Sequence, residues 1–570
     1  MKKTLLFLFI GLLSMSIGII SVYGQSGETE DEYTVWIGGH YTEFSDYQKK
    51  VGEYRIDDEK FLPELKVDYL SRGNGYIFTM NGHYYDDRNI FGTVSTNVGR
   101  RFSGTFGYKS LIHQEGQDLL TNLETREAGG GKILTHELFD PGADYKTHRQ
   151  EIESDITALL SEKHDIKLMV AHRAVLQSGS EQSISNNHCF SCHVTSQEAK
   201  IDKITHQIVA SLKGDVGKQT VGYDFAFRSF ESKAPEVMGI YDQAKHPVSG
   251  LSGAEFSSRV LYDDTTLPIN QYPRTEKFQH KVRSKGDLGG GQYASALSYS
   301  RAKNKNNDLV STAWAGQLNY SYPVGKKSRL IARLSGTRLE TDDVFIDLPL
   351  YREGRDGPKE DFDIWRYSSL NRVHGKGTVE LVSRLNPKLT ASVLLGYEFI
   401  DRDDYPVYDN GLTTNRFIGQ IKARYRKGLK YSTDIKYRFE KTSDPFTSGR
   451  GLFEARGRDV LDPVPETFRF VFYWQREDLR YQDITTEPNQ EHEFDWTSRW
   501  RPIQKVNVNV GLKGRYDKNG ELDSLDVSHL SLQPHLALNL VPSPNWSFMA
   551  GGSYIHYKSR GPVTVALFDG

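Results

Sequence analysis

The sequence predicts an all-β protein, a large antiparallel transmembrane β-barrel of roughly 22 to 26 strands. Three observations predict it. Long segments alternate between apolar and charged residues, short turns alternate with long connecting segments, and no apolar run after the N-terminus has the length of a spanning helix. The 570-residue chain shows no composition break that would divide it into separate domains.

The alternation is clearest in FIGQIKARYRKGLKYSTDIKYRFE, which begins at Phe417. Phe417, Ile421 and Tyr425 fall on one side of a strand, whereas Lys422 and Arg424 fall on the other. Gly428 marks a turn, after which the same period resumes. Further segments with this period are 314–334, 389–399, 506–515 and 530–540. Each predicts one apolar and one charged strand face.

A soluble β-sandwich also alternates, so the period alone does not decide between the two architectures. The predicted strands are about 10 to 13 residues long, which suits tilted membrane strands. Aromatic residues, 12% of the chain with 32 Tyr, cluster at strand ends, as in an aromatic girdle. Short turns alternate with long segments such as 341–376 and 441–466, which is typical of outer-membrane barrels.

Residues 1–24 are typical of a secretory signal peptide cut before Gln25, and the predicted barrel covers 25–570. The first strand is expected near Glu32, which leaves too little chain before it for a plug domain. The 72 basic and 74 acidic residues nearly balance, so no net field favours nucleic acid. No nucleophile–base or paired-carboxylate pattern predicts an enzyme. The expected environment is outer-membrane lipid of a Gram-negative bacterium.

The stretch NNHCFSCHVTSQ, residues 186–197, contains Cys189 and Cys192, the only cysteines of the chain, followed by His193. This spacing fits the C-x-x-C-H pattern of covalent haem c, in which two thiols bond the haem and the histidine is the proximal iron ligand. A disulfide is an alternative, because exported proteins are oxidised. A metal site that adds His188 as a weak candidate ligand is another. His206, in line with Ile204 and Ile208, is expected to be an ordinary strand residue.

Strand parity predicts the side of the membrane on which this motif lies. We expect short periplasmic turns near Asn74, Gly99, Lys163 and Gly214. A loop at about 177–197 then joins a rising strand, 166–175, to a descending one, 200–212, and lies on the outer side. The parity count fails between Thr467 and Gln490, where one crossing too many or too few is needed.

Together, the signal peptide, the barrel pattern and the motif of Cys189, Cys192 and His193 resemble the CXXCH-containing outer-membrane barrels of metal-reducing bacteria, some of which are selenoproteins. That family is related to the MtrB/PioB-type electron-conduit barrels. The resemblance implies one covalent haem c, with His193 as the proximal ligand. It also implies a sheath or dock for multihaem c-type cytochromes in the lumen or periplasm. MtrB-type barrels carry their Cys pair near the N-terminus, which is a departure.

A second departure lies at the C-terminus, where the last clear strand, 546–557, is followed by no convincing returning strand. An unclosed edge is not tolerated in lipid, so we expect the sequence to be truncated. The selenoprotein resemblance suggests a UGA codon after Gly570.

The sequence therefore predicts a component of a porin-cytochrome-type extracellular electron-transfer conduit. In that role, six basic residues of the charged faces would meet partner carboxylates or haem propionates: Lys422, Arg424, Lys436, Arg438, Lys513 and Arg515. The alternative is a general porin or transporter for ions or small solutes, with the Cys pair as a loop staple. A third hypothesis is a surface protein whose outer loops bind a ligand or another cell.

Overall fold

The computed structural model describes residues 29–42, 54, 60–128, 131–186, 192–241, 265–346, 351–352, 359–360, 364–367, 371–402, 412–443, 445, 452–455, 488–519 and 527–561. Over these residues the chain is built from β-strands, and 24 of them belong to the main sheet. The strand number predicted from the sequence is confirmed. No helix in the described ranges is long and apolar enough to cross a membrane.

The strands in the N-terminal half are β1 (Glu30–Thr42), β2 (Lys60–Gly73), β3 (Tyr76–Tyr84), β4 (Ile90–Val98), β5 (Phe102–Gln114), β6 (Arg126–Ala128), β7 (Gly131–Leu138), β8 (Lys146–Ser161), β9 (Ile166–Asn186), β10 (Cys192–Val216), β11 (Gln219–Ser232), β12 (Val237–Tyr241), β13 (Thr265–Asn270), β14 (Thr275–Leu288) and β15 (Gly291–Asn304).

The strands in the C-terminal half are β16 (Val310–Val324), β17 (Ser328–Thr341), β18 (Val344–Ile346), β19 (Tyr351–Arg352), β20 (Lys359–Glu360), β21 (Ile364–Tyr367), β22 (Arg372–Asn386), β23 (Leu389–Arg402), β24 (Leu412–Lys427), β25 (Tyr431–Ser443), β26 (Leu452–Ala455), β27 (Gln490–Trp500), β28 (Val506–Asn519), β29 (Val527–Ser543), β30 (Trp546–Ser553) and β31 (His556–Arg560).

The chain divides into two compact units, and the first contains residues 1–281 with two short later segments. Within it, β1 to β5 and β8 to β11 pair antiparallel in chain order. Their tight turns 74–75, 99–101, 162–165 and 217–218 lie at one end of the strands, and the connections at the other end include 85–89 and the long segment between β5 and β8. Each strand therefore hydrogen-bonds to neighbours adjacent in sequence, which is the pairing predicted for a barrel wall.

The second unit contains 282–299, 311–348 and 362–570. Its strands β16, β17, β22 to β25 and β27 to β29 form the same kind of antiparallel meander. β30 and β31 both pair with β29, so together they form the last strand that the sequence predicted. The predicted absence of a returning strand concerns residues 562–570, which lie outside the described part.

The structure corrects the predicted order of strands and turns at two points. Gly214 is a strand residue opposite Val221, and the turn comes at Gly217, whose φ of 63° suits glycine. The crossing that seemed missing before Gln490 is not needed, because β25 pairs directly with β27 in antiparallel orientation. Residues 467–487 themselves lie outside the described ranges.

The two faces of the second unit's strands are inverted relative to a soluble protein. Leu395 and Ile421 are 56% and 57% exposed, whereas Glu398 and Glu440, on the alternate face, are 9% and 8% exposed. In water, exposed aliphatic residues beside buried carboxylates would be unfavourable. The arrangement is stable when lipid covers the apolar face, so the fold belongs to the transmembrane β-barrel class.

We expect Leu395→Arg to destabilise the protein far more than Leu394→Arg does. Leu395 lies on the apolar face near the middle of β23, whereas Leu394 lies on the charged face, opposite Glu380 and Gln420. An arginine facing lipid at mid-depth lowers the free energy of unfolding by about 2–4 kcal/mol. Urea unfolding from lipid vesicles measures both variants. Equal losses would contradict the assignment of the two faces.

Candidate functional site

The motif with the two cysteines lies in the hairpin of β9 and β10, which extends beyond the neighbouring strands. β8 pairs with β9 only as far as Ser180, and β11 pairs with β10 only from Lys203. The hairpin continues to the pair of Asn186 and Val194, about 20 Å further along the strand direction. The loop predicted at 177–197 is therefore mostly strand, and only 187–191 connects β9 to β10.

Gly179 marks the point where the hairpin leaves the neighbouring strand. Its φ is 136°, and a Cβ at this position would lie 1.9 Å from the carbonyl oxygen of Lys146. Because no other residue fits so close to the backbone of β8, glycine is required here. Asn186 and Cys192, which flank the connection, lie at the end of the first unit opposite the four tight turns. That this end is the outer one stays a prediction.

A segment of the chain that we call the clasp, residues 115–145, contacts this projecting hairpin. Its strand β7 pairs with β10 in parallel orientation, from the pair of Leu134 and Cys192 to the pair of Leu138 and Ser196. The backbone N–H of Phe139 then donates to the carbonyl of Ser196 at 2.9 Å. β7 therefore covers the edge of β10 that β11 leaves open, which an exposed edge strand needs. A short apolar run, KIL at 132–134, is the only sign of β7 in the sequence.

Side chains fix the clasp to the hairpin as well. The amide of Gln182 donates to the carbonyl of Asp118 and to the hydroxyl of Ser196, and its oxygen accepts from the N–H of Asp118 at 2.7 Å. The N–H of Glu198 donates to the carboxylate of Asp140 at 2.6 Å. Ser196 is fully buried as a result. Most residues of the hairpin are polar, and these hydrogen bonds hold it to the clasp.

At the end of the clasp, Tyr145 is fully buried next to the first residue of β8. Burial raises the pKa of its hydroxyl, and the nearby carboxylates of Asp140 and Glu198 add to this. The hydroxyl of Tyr145 therefore stays neutral at physiological pH, and its ring anchors the end of the clasp in the protein interior.

The alternate face of the hairpin contacts the segment between β11 and β14. The hydroxyl of Tyr272 donates to Glu181 at 2.9 Å, and the ammonium of Lys203 lies 3.8 Å from the centre of the Tyr272 ring. Lys203 and Glu181 also approach each other at 3.8 Å. The amide of Gln197 donates to the carbonyl of Met238. The base of the hairpin is thus held on both faces.

Of the predicted motif, the structure describes only His193 in full. His188, Cys189 and the side chain of Cys192 lie outside the described residues. The His193 side chain is 13% exposed, and its Nε2 lies 3.4 Å from Glu137 of the clasp. A haem ligand needs a nitrogen directed at the iron, and here the nitrogen is directed at a carboxylate within the protein. An iron-ligand role would require the imidazole of His193 to turn away from Glu137, and the haem stays a prediction. No group of three or more metal-ligating side chains occurs in the described part of the chain.

His206 lies on β10 in line with Ile204 and Ile208, as predicted. Its Nδ1 is 3.4 Å from Nε2 of His172 on β9, and the two rings stack. Nothing in the sequence indicates this partner. Within the described ranges no third metal-ligating side chain joins the two histidines, and we interpret them as a cross-strand packing contact.

The charged face of the second unit is largely compensated by ion pairs between strands. Lys376 reaches Glu398 at 2.8 Å, Lys436 reaches Glu493 at 3.2 Å, and Arg515 reaches Glu491 at 2.9 Å. Arg424 and Arg438 pair with Asp434 and Glu440. Four of the six basic residues expected to meet a partner's acidic groups therefore have acidic partners within the chain. Lys422 and Lys513 have none within 4 Å among the described residues.

No protein-family model matches the chain, and no curated protein matches it in sequence. Among solved structures, the chain is similar to the ferric enterobactin receptor PfeA from Pseudomonas aeruginosa, with 9% identity, 92% of this chain and 75% of that chain covered, and a TM-score of 0.42. The FrpB iron transporter from Neisseria meningitidis (F5-1 variant) is 9% identical, with 90% of this chain and 75% of that chain covered and a TM-score of 0.40. The ferric-catecholate import receptor Fiu from K12 E. coli is 8% identical, with 92% of this chain and 76% of that chain covered and a TM-score of 0.39. Similarities this low do not indicate what the chain binds.

The class of protein follows from the strands themselves. Long antiparallel strands with an exposed apolar face and a charged alternate face define a transmembrane β-barrel. Such barrels belong to the outer membrane of Gram-negative bacteria, which is the localisation predicted from the sequence.

We expect Gln182→Ala to loosen the clasp without affecting the membrane strands. The change removes two hydrogen bonds between the hairpin and the clasp, both to the backbone of Asp118, and a third to Ser196 within the hairpin, so the free energy of local opening falls by about 1–3 kcal/mol. Hydrogen exchange at the backbone N–H of Asp118 measures this opening. Gln177→Ala, on the same strand, is the matched control and leaves that exchange unchanged. Equal exchange in both variants would contradict the clasp.

Proposed function

We propose that this chain is an outer-membrane porin or transporter for ions or small solutes, in which the charged strand faces line a polar passage. The observation that carries this proposal is the inverted pair of faces in the second unit, with exposed Leu395 and Ile421 on one side and ionised groups on the other. A charged face opposite lipid is stable only in contact with water. A water-filled interior is the simplest environment that provides it.

Along most of the charged face, away from the arginines near the tight turns, the ion pairs favour this function over a protein sheath. A sheath needs basic groups that remain free for the acidic groups of its occupant, whereas Lys376, Lys436 and Arg515 are each held by carboxylates of neighbouring strands. Ion pairs between adjacent strands hold the wall rigid and keep its inner surface hydrated. A rigid, hydrated surface suits a passage for solutes.

In this proposal the hairpin of β9 and β10 is an extramembrane element, and Cys189 and Cys192 staple its tip. Strand pairing already holds the ends of the tip together at Asn186 and Val194. A disulfide across so short a loop therefore restricts the unfolded chain only slightly. Its role is to fix the conformation of residues 187–191 and not to stabilise the fold.

An electron-conduit component is the second candidate, and the C-x-x-C-H spacing of Cys189, Cys192 and His193 favours it. In that function the chain would hold one covalent haem c and sheath or dock a multihaem c-type cytochrome. His193 would first have to leave Glu137. The motif is the only feature that separates this candidate from an ordinary pore.

Purified protein in planar lipid bilayers tests the pore. We expect stepwise conductance at neutral pH, because a charged wall in contact with water admits ions. The matched control is Leu395→Arg, which should insert less often but give steps of unchanged size, since residue 395 faces lipid. Insertion without any conductance would contradict the proposed passage.

Haem staining of the protein separates the two candidates. We expect no covalent haem after expression with a haem-attachment system, and Cys192→Ala should leave the conductance unchanged. A stained band that disappears in Cys192→Ala would instead support the conduit. Purification of the native complex, followed by its visible spectrum, would then show whether a multihaem cytochrome accompanies it.

A further inference from the structure

We infer that the passage admits anions in preference to cations, because an arginine belt crosses the charged face of the second unit near its tight turns. The belt consists of Arg329, Arg384, Arg424, Arg426 and Arg499, all of them exposed. The inference rests on the proposed function, since it requires the charged face to line the passage. The inference specifies anions as the class of solute that the passage prefers.

Strand register places the belt residues in three neighbouring rows of the charged face, with Arg329 in the row of Lys422 through Val382 and Ser392. Arg384 pairs with Thr390, which pairs in turn with Arg424, and Arg426 is linked to Arg499 in the same way through Ser432. Two strand spacings separate the members of each pair, or about 10 Å. The Debye length at physiological ionic strength is about 8 Å, so the fields of neighbouring members overlap.

The alternation of the strands places the belt on the charged face. Each belt arginine has a residue beside it in sequence that belongs to the apolar face. Leu385, next to Arg384, is 57% exposed, and Trp500, next to Arg499, is 53% exposed. Because adjacent strand residues point to opposite faces, the arginines face the side away from lipid. They are therefore not merely headgroup contacts at the rim of the membrane.

Charge compensation fails in the belt, in contrast to the rest of the charged face. Only Arg424 has an acidic partner, Asp434. For the other four members, no carboxylate of the described residues lies within 4 Å, and the guanidinium of Arg384 donates only to the carbonyl of Pro387, at 3.3 Å. The belt carries an uncompensated positive charge.

The next row of the sheet adds to this charge. Lys422 pairs in register with Lys436, Lys436 with Asp495, and Asp495 with Lys513. Arg329 and three lysines thus share one row with a single aspartate, although Lys436 also reaches Glu493. Together with the row of Arg384 and Arg424 and the row of Arg426 and Arg499, three successive rows at the same end have a surplus of positive charge, which raises the local concentration of anions and repels cations.

Reversal potentials test the inference. Wild-type channels are recorded in a gradient of about 10 mM against about 100 mM KCl, because the Debye length of about 30 Å at 0.01 M lets the belt act across a wide passage. We expect a chloride-to-potassium permeability ratio above one. Combining Arg384→Gln, Arg426→Gln and Arg499→Gln should bring the ratio to one or below.

The matched control removes the same number of positive charges from the tight turns at the same end, by combining Lys326→Gln, Lys388→Gln and Arg501→Gln. These residues lie outside the strand faces, so the control should keep the wild-type ratio. A wild-type channel that is unselective or cation-selective overturns the inference. So does a belt variant with an unchanged ratio, or a turn variant that loses selectivity to the same extent.

A binding measurement covers the case in which the protein does not conduct. Anisotropy of a trisulfonated pyrene dye is measured with wild-type and belt-variant protein in uncharged detergent micelles at low salt. Binding that the belt variant loses supports the belt even if the passage itself is absent, and the proposed function alone then falls. Failure of the wild-type protein to bind the dye overturns the belt in that case.

Discussion

The fold depends on one constraint: in lipid, every backbone N–H and C=O must find a partner within the protein. Antiparallel pairing between strands adjacent in sequence meets it at the lowest cost in loop length. This pairing explains the long strands, the tight turns at one end and the period of two in the sequence. Once the pairing is fixed, successive side chains of β23 and β24 face lipid and the interior in turn, so that Leu395 is exposed while Glu398 is buried.

The same constraint explains what happens where β9 and β10 leave the sheet. Above Ser180 and Lys203 the hairpin has lost its neighbours, and its open edge would attract foreign strands. In the proposed orientation water surrounds the hairpin, so that its side chains can be polar on both faces. The clasp covers the open edge of β10 through β7, and Gln182 adds side-chain hydrogen bonds to the backbone ladder. In that orientation the hydrogen-bonded strand pairing continues beyond the membrane, where polar side chains replace the alternation of apolar and charged ones.

The sequence could predict the membrane strands because two opposite environments impose a visible period, as in 417–440. The extension of β9 and β10 was missed because 181–186 and 193–197 are polar on both faces and so have no period. β7 was missed for another reason: its partner lies about 58 residues away, and a parallel pairing leaves no turn to recognise it. Gly214 was taken for the turn instead of Gly217, because two glycines three residues apart give the same signal, and only φ distinguishes them. The contact between His193 and Glu137 depends on that pairing, and so was beyond prediction.

The total charge of the sequence says little about the charge that the barrel wall presents to a solute. The totals of 72 basic and 74 acidic residues suggest no preference for either kind of ion. Pairing between strands then cancels most charges locally, as for Lys376 with Glu398 and Arg515 with Glu491, and cancelled pairs have only short-range fields. A solute meets only the charges that ion pairs leave uncancelled. Because register places Arg426 and Arg499 in one row without a carboxylate, these uncancelled charges are positive and confined to one end. Selectivity in such a wall is therefore a property of strand register as much as of composition.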